Sequence, residues 1–201
     1  PEPPPSVAPA VVRPPEESVH LIVDLGSSGT RFCLYRVQKY FDRRGCELTT
    51  AKPVCSRVTG GLAKVTKGRR ANQVAGLIEP LLRGAWTALG DAEAGGDPAL
   101  RAKVQGAVAL GTGGFRDRKT GLPISRPEWQ ILFQEVEQFL KRETNLSGIS
   151  ARPITGGEEG RLAWLGLSRS ENRPSEFAAV EAGGATVQLA VGKSGDGSPT
   201  V

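Results

Sequence analysis

Two apolar segments joined by five small residues constrain the fold of this chain most strongly. Residues 18–25 (SVHLIVDL) and 31–40 (RFCLYRVQKY) have the β-branched and apolar composition of strands. Between them lie only residues 26–30 (GSSGT), which allow a sharp turn. The segment therefore predicts a β-hairpin, with Asp24 just before its turn and Arg31 just after it.

A second segment near the other end of the chain has the same organisation. Residues 177–192 (FAAVEAGGATVQLAVG) place Glu181, an apolar residue, two glycines and further small residues between two apolar stretches. This pattern predicts another strand, tight turn and strand. The repetition indicates one lobe followed by the start of a duplicated lobe.

The intervening sequence alternates between strand and helix patterns. Apolar residues recur at spacings of three and four in residues 72–89, which is typical of an amphipathic helix. A second such helix is expected where Ser125 and Glu128 have capping-box spacing and Pro127 suits a first turn. Strands are also expected at 53–61, 103–114 (running into a glycine-rich turn) and 151–155, and a loop entering a helix at 156–167. The order predicts an α/β fold, a mixed sheet flanked by helices.

We divide the sequence into three parts. Residues 1–17 are dense in proline and predict a flexible or polyproline-like leader. Residues 18–176 are assigned to lobe I, and residues 177–201 to the first hairpin of a lobe II whose remainder these 201 residues do not contain. Because the sequence has no methionine, we expect a trimmed or processed chain. An extracellular or secretory-lumen location, with a membrane anchor outside these residues, fits that expectation.

Composition excludes several classes of function. A net charge of +5 suits an anionic partner, but the basic residues are scattered and aromatic residues make up 5%, which argues against nucleic acid. The single histidine, His20, excludes Ser-His-Asp and Cys-His chemistry and multi-histidine metal sites. The three cysteines lack zinc-ligand spacing. Cys46 and Cys55 are predicted either to form a disulfide or to remain free thiols.

The chemistry of the first turn points to a phosphate and a divalent cation. Backbone N–H groups can approach an anion closely where side chains are small, and Ser27, Ser28 and Thr30 add hydroxyl donors. Asp24 would repel the same anion unless a cation lay between them. Mg²⁺ bound to a carboxylate and to phosphate oxygens meets that need. A P-loop is excluded because no Lys-Ser or Lys-Thr follows at the required spacing.

Four segments, in order, resemble the motifs of the apyrase (nucleoside triphosphate diphosphohydrolase) family. VDLGSSGTR is similar to D-A-G-S-S-G-T/S-R, and GTGGFR (111–116) to G-A-T-A-G-M-R. GGEEGRLAW resembles G-x-E-E-G-x-Y-G-W, and EAGGATVQ resembles D-L-G-G-A-S-T-Q. The matched positions of the last three are Gly111, Thr112, Gly114, Arg116, Glu158, Glu159, Gly160, Trp164, Gly183, Gly184, Ala185, Thr186 and Gln188. The likeness spans residues 19–191 and implies a ribonuclease-H-like lobe of an actin-like, two-lobed phosphohydrolase.

The resemblance assigns roles to these residues. Glu159 becomes the general base, Gln188 positions the attacking water, and Thr112 lends a hydroxyl near the terminal phosphate. Asp24 and Glu181 hold Mg²⁺ or Ca²⁺ through its water ligands, although the family has Asp where Glu181 stands. The phosphate-binding set is Gly26, Ser27, Ser28, Gly29, Thr30, Arg31, Gly113, Gly114, Gly183, Gly184, Ala185 and Thr186. Arg116 braces its loop or the phosphates, or pairs with Asp117, and Trp164 packs the helix of the base.

The expected activity is hydrolysis of terminal phosphoanhydride bonds of nucleoside tri- or diphosphates. An exopolyphosphatase or guanosine pentaphosphate phosphatase on the same fold is the first alternative, and a non-catalytic nucleotide-binding module is the second. Since lobe II supplies half of the cleft and most of the nucleoside-base pocket, we expect the 201 residues alone to be nearly inactive.

Overall fold

The computed structural model describes residues 16–42, 45–93, 99–117, 119–170, 178–182, 187–192 and 199–200. Residues 1–15 of the predicted leader lie outside this description, whereas Glu16 and Glu17 already belong to the first strand. Within the described ranges, no helix is both long enough and apolar enough to cross a membrane.

The larger sheet is built on the predicted hairpin. Strands β1 (Glu16–Leu25) and β2 (Gly29–Asp42) pair antiparallel, with Asp24 opposite Arg31. On the other side of β1, β5 (Val104–Gly111) and β6 (Ser150–Pro153) follow in parallel orientation. Parallel neighbours bring the carboxyl ends of β1, β5 and β6 to one edge of the sheet.

The outer edge of β2 is covered by two short strands. β4 (Val54–Thr59) pairs with the first half of β2, and β3 (Gly45–Thr50) pairs with the second half. The two behave as one edge strand interrupted at residues 51–53, where Pro53 cannot donate a ladder hydrogen bond. The sheet order is β3-β2-β1-β5-β6, with β4 beside β2. Sequence patterns predicted β4 but missed β3.

A disulfide joins β2 to its edge neighbour β4. Cys33 and Cys55 stand directly opposite each other in β2 and β4, with their Cα atoms 4.2 Å apart. The predicted alternatives for Cys55, a bridge to Cys46 or a free thiol, are therefore both wrong. Pairing register, which sequence spacing does not reveal, selects Cys33 as the partner.

Three helices, α1 (Leu62–Thr66), α2 (Ala71–Glu93) and α3 (Pro127–Thr144), contribute to the core of the larger sheet. The fourth helix, α4 (Gly156–Ser170), packs on the smaller sheet described below. The predicted stripe of α2, including Val74, Ile78 and Leu82, is buried with alternate residues of β1. The expected α/β architecture is thus confirmed.

The start of α3 differs from the expectation. Arg126 is its N-cap residue and Pro127 occupies the first turn, but no side chain caps the helix. Glu128 instead accepts a hydrogen bond from the Gly68 backbone N–H at 3.3 Å, and Ser125 accepts one from Gln130. The predicted Ser125–Glu128 capping box is wrong because Glu128 is recruited by a loop 60 residues away.

A smaller sheet follows α4. Strands β7 (Ala178–Ala182), β8 (Val187–Gly192) and β9 (Pro199–Thr200) pair antiparallel, and α4 contacts β7 and β8. Trp164 of α4 is buried with Ala179 and Ala190, which agrees with its predicted packing role. The second predicted hairpin is therefore present, although residues 183–186 of its turn lie outside the described residues.

Candidate functional site

Three glycine-containing segments meet at the carboxyl edge of the larger sheet. The Ser28 carbonyl accepts a hydrogen bond from the Gly60 N–H at 3.2 Å, which ties the first turn to the end of β4. A Cβ on Gly61 would lie 2.2 Å from the Ser27 carbonyl oxygen. A Cβ on Gly114 would lie 2.9 Å from the Ala63 Cβ and 3.2 Å from the Ser27 Cα. Only residues without side chains allow these backbones to approach so closely. We call this meeting point of residues 27–28, 60–61 and 113–114 the glycine junction.

Asp24 lies beside this junction at the end of β1. Its carboxylate is half-buried, and Oδ1 accepts a long hydrogen bond of 3.4 Å from the Thr112 hydroxyl. Burial raises the pKa of Asp24, while the charge of Arg31, the Thr112 hydrogen bond and the charge of Arg57 act in the opposite direction. A desolvated carboxylate with one long hydrogen bond is chemically suited to a hard cation such as Mg²⁺.

The second predicted metal-holding side chain cannot be placed against the first. The backbone of Glu181 belongs to β7 opposite Gln188, but its side chain lies outside the described residues. Among the residues that the structure describes, no three His, Cys, Asp or Glu side chains cluster as metal ligands. Of the two carboxylates predicted to hold a cation, the structure therefore describes the side chain of Asp24 alone.

The segment after β5 is anchored by aromatic packing. Phe115 is fully buried, with ring centroids 5.2 Å from Trp129 and 5.0 Å from Phe133. This contact fixes the short 3₁₀ turn Gly113–Phe115 and the residue after it, Arg116, whose side chain is 1% exposed. The segment thus holds a buried guanidinium next to the glycine junction.

Arg116 forms an ion pair with Glu159 Oε2. The predicted alternative partner, Asp117, instead accepts backbone hydrogen bonds from Lys119 and Thr120, each at 2.9 Å. These bonds, with that from the Thr120 hydroxyl, lower the pKa of Asp117. Arg116 therefore connects the glycine-rich segment to the first turn of α4.

Adjacent glutamates at the start of α4 have different contacts. Thr155 and Glu158 form a capping box: the Thr155 N–H donates to Glu158 Oε2 at 2.9 Å, and the Glu158 N–H donates to the Thr155 hydroxyl at 3.0 Å. The Thr155 N–H is the main cause of the lowered pKa of Glu158. Glu158 also pairs with Arg152 at 3.0 Å. Glu158 is thus a structural cap, and Glu159 is the carboxylate directed to Arg116.

The remaining predicted residues have varied environments. Gln188 is 7% exposed, and its Oε1 finds no hydrogen-bond partner among the described residues. The Thr30 hydroxyl is similarly buried and unpartnered within the described ranges, whereas Ser28 and Arg31 are exposed. Gly183, Gly184, Ala185 and Thr186 lie outside the described residues.

Sequence reasoning missed a cavity that borders the glycine junction. This basic cavity, of about 510 Å³, has Ser27, Gly113 and Gly114 in its wall. Its charged lining residues are Lys64, Lys67, Arg116, Asp117, Lys119 and Arg126. The signal in the sequence was the density of cations in KVTKGRR and FRDRKTG, but nothing local showed that these segments meet.

Comparison with solved structures identifies the fold class. The Ppx/GppA family member of Aquifex aeolicus is 20% identical over 89% of this chain and 48% of its own, with a TM-score of 0.50. A nucleoside triphosphate hydrolase of Neospora caninum is 16% identical over 88% of this chain and 36% of its own, with a TM-score of 0.55. No family model matches the sequence, and no curated protein matches it.

The fold is one ribonuclease-H-like lobe of the actin-like class. The chain spans half or less of the length of these two structures. The likeness extends to both of them and does not single out the apyrases, so the sequence resemblance is supported only at the level of this wider class.

Proposed function

We propose that this chain contributes the base-bearing lobe of a divalent-metal-dependent phosphoanhydride hydrolase. One observation supports the proposal most directly: the Arg116–Glu159 ion pair joins a carboxylate at the start of α4 to the glycine-rich segment beside Asp24. A base, amide-rich loops and a carboxylate suited to a cation are the groups that phosphoryl transfer to water requires.

The proposed reaction is attack of water on the terminal phosphorus. The water oxygen forms the new P–O bond while the bridging P–O bond breaks, and the leaving phosphate takes that electron pair. Glu159 accepts the proton of the water. Arg116 holds Glu159 through Oε2, and Oε1 has no partner among the described residues, so it is the oxygen offered to the water.

Backbone amides of the glycine junction would bind the phosphate oxygens, and Thr112 would add its hydroxyl. Asp24 would hold the cation, which neutralises the phosphate charge when bound. The buried, unpartnered amide oxygen of Gln188 fits its proposed role as an acceptor for a water hydrogen. Glu181 is proposed as the second carboxylate on the cation.

Two substrate classes are compatible with this site. Nucleoside tri- or diphosphates follow from the motif resemblance. Linear polyphosphate or guanosine pentaphosphate is the second candidate, and the cationic lining of the neighbouring cavity favours it. We further propose an extracellular or secretory-lumen location, which the Cys33–Cys55 disulfide supports because disulfides persist in oxidising compartments.

The decisive experiment compares Glu159→Gln with Glu158→Gln in the full-length protein. The two residues are adjacent, and both substitutions remove only the charge. Glu159→Gln should lower the rate of phosphate release by about 10²–10⁴-fold while leaving nucleotide binding intact. Glu158→Gln should keep the rate within a few-fold.

Phosphate release would be measured from ATP, ADP, guanosine pentaphosphate and long-chain polyphosphate, each with and without Mg²⁺ or Ca²⁺. Equal rates for the two glutamate variants would place the base elsewhere. Nucleotide binding without turnover of any substrate would favour a non-catalytic binding module.

A further inference from the structure

The loop that begins at Arg116 makes a backbone contact with α4. An isolated antiparallel bridge pairs Arg116 with Pro123 and closes the loop at its base. Near its tip, the Gly121 carbonyl accepts a hydrogen bond of 3.1 Å from the N–H of Gly156, the first residue of α4. The 116–123 loop therefore connects the glycine-rich segment after β5 to the start of this helix.

Asp117 shapes the 116–123 loop. Its Oδ1 accepts hydrogen bonds from the N–H groups of Lys119 and Thr120, each at 2.9 Å, and from the Thr120 hydroxyl at 3.1 Å. The Asp117 carbonyl accepts the Gly121 N–H at 2.9 Å. Gly121 has a φ of +68°, a left-handed conformation that favours glycine. The bonds to Asp117 thus hold the turn that directs the Gly121 carbonyl at α4.

Both members of the Arg116–Glu159 ion pair lie next to this connection. Arg116 directly precedes Asp117, and a Cβ on Gly156 would lie 3.3 Å from Arg116 Nη1. Glu159 belongs to the first turn of the helix that Gly156 begins, and its N–H donates to the Thr155 carbonyl at 3.1 Å. A displacement of the helix start would therefore move Glu159 relative to Arg116.

Local bonds position the start of α4 against the larger sheet. Within the part of the chain that the structure describes, the body of α4 packs mainly on β7 and β8 of the smaller sheet. Just before the helix, the Ile154 N–H donates to the Gly111 carbonyl at 2.9 Å, and at the helix start the Gly156 N–H donates to Gly121. A misplacement of about 1 Å can lower a catalytic rate by about 100-fold. The bond between Gly156 and Gly121 therefore lies where it affects the position of the proposed base.

We propose that Asp117 is a positioning residue for the general base Glu159. It acts through the Gly121 carbonyl, which holds the start of α4 and so keeps the Glu159 carboxylate beside Arg116. The role depends on the hydrogen bonds that Asp117 accepts and not on its negative charge. The inference rests on the proposed function for the role of Glu159, whereas the contact between the 116–123 loop and α4 is testable without turnover.

The kinetic test compares Asp117→Ala with Asp117→Asn in the full-length protein, with ATP and long-chain polyphosphate as substrates in the presence of Mg²⁺. Asp117→Ala removes the acceptor and should lower kcat for phosphate release by about tenfold to a hundredfold, with KM nearly unchanged. Asp117→Asn retains an oxygen that can accept the Lys119 and Thr120 N–H groups, so kcat should stay within a few-fold of the wild type. Both variants lose the charge, so the difference between them reports the hydrogen bonds.

Asp91→Ala is the matched control, because it removes an exposed aspartate of α2 outside the loop. It should keep the kcat of the wild type. Equal kcat values for Asp117→Ala and Asp117→Asn, or for Asp117→Ala and Asp91→Ala, would overturn the proposal.

A double variant shows whether Asp117 acts through Glu159. In the Glu159→Gln background, Asp117→Ala should cause no further fall in the rate, because the group that it positions is already lost. A further fall as large as that in the wild type would mean that Asp117 acts on another group, and the proposed role would be wrong.

Amide hydrogen exchange tests the contact independently of turnover. Asp117→Ala should speed exchange of the Gly156 N–H several-fold, whereas Asp117→Asn and Asp91→Ala should leave it unchanged. Exchange would be measured by mass spectrometry on peptides that span residues 154–160, with thermal melts to verify folding.

The two measurements separate failure of this inference from failure of the proposed function. Unchanged exchange in folded Asp117→Ala would refute the inference even if Glu159→Gln abolishes hydrolysis. If hydrolysis survives Glu159→Gln, the proposed base is wrong and Asp117 cannot position it, although faster exchange in Asp117→Ala would still establish the contact between the loop and α4.

Discussion

Removal of the Cys33–Cys55 disulfide should destabilise the fold by an amount that follows from chain entropy. The bridge closes a loop with a sequence separation of 22. Loop-closure entropy for that length corresponds to about 3 kcal/mol at 25 °C. For a chain of this size, such a loss lowers the melting temperature by roughly 6–12 °C. The bridge joins β2 to the strand that covers its edge, so that edge should open first in the unbridged protein.

The assay is denaturant unfolding of the double variant Cys33→Ala with Cys55→Ala, and of the wild type with and without reductant. Cys46→Ala is the matched control and should keep the wild-type free energy of unfolding. Thiol titration of the unreduced, unfolded wild type should find one free thiol, because two of the three cysteines are paired. Three titratable thiols, or equal stability of double variant and control, would refute the reasoning.

Two other substitutions test how the site is held. Gly61→Ala should destabilise the fold by about 1–3 kcal/mol, because its Cβ would meet the Ser27 carbonyl oxygen, whereas Gly76→Ala on the exposed side of α2 should stabilise it by about 0.5–1 kcal/mol. Both are measured by urea unfolding, and equal effects would contradict the close packing. Glu158→Gln should reduce the fall in the free energy of unfolding that occurs as the pH is lowered. Since the pKa of Glu158 is lowered from 4.5 in the folded state, its contribution is complete above that value and is lost as pH falls below it. An unchanged pH profile would show that the capping box contributes nothing.

Local patterns predicted the elements whose boundaries depend on local chemistry. The β1–β2 hairpin follows from apolar strands around residues 26–30, and α2 follows from a stripe with helical spacing. β3 was missed because its sequence, GCELTT, has little apolar or alternating character, although it pairs with the end of β2 that directly precedes it, Asp42 opposite Gly45. The cysteine partner was missed for a different reason: the register between β2 and β4 decides it, and sequence spacing does not reveal that register.

The two capping boxes show how tertiary contacts choose between equal local signals. Ser125 and Glu128 have the required spacing, yet the Gly68 N–H recruits the glutamate. Thr155 and Glu158 have the same spacing and form the box that sequence reasoning overlooked. Capping-box spacing therefore shows only that a pair of residues could form the box. At Ser125 and Glu128 the competing Gly68 N–H prevents it, whereas the box forms at Thr155 and Glu158.

The arrangement of the candidate site follows from the parallel strands more than from any one motif. The Thr112 N–H donates to the Leu25 carbonyl at the end of β1, and the Ile154 N–H donates to the Gly111 carbonyl at the end of β5. The segments after these three strands consequently leave the sheet side by side. Asp24 and Thr112 meet for this reason, although 88 residues separate them.

The same geometry explains why only one of two adjacent glutamates pairs with Arg116. Thr155 follows β6 and starts α4, and its capping box turns Glu158 back toward the helix start. Successive helical residues point about 100° apart, so Glu159 must project on another face. The segment after β5 places Arg116 there, buried and rigid, 43 residues earlier in the chain. If α4 began one residue later, Glu159 would occupy the capping position that Glu158 now has. The position of Arg116 would not change, because the order of β1, β5 and β6 places it at this edge of the sheet.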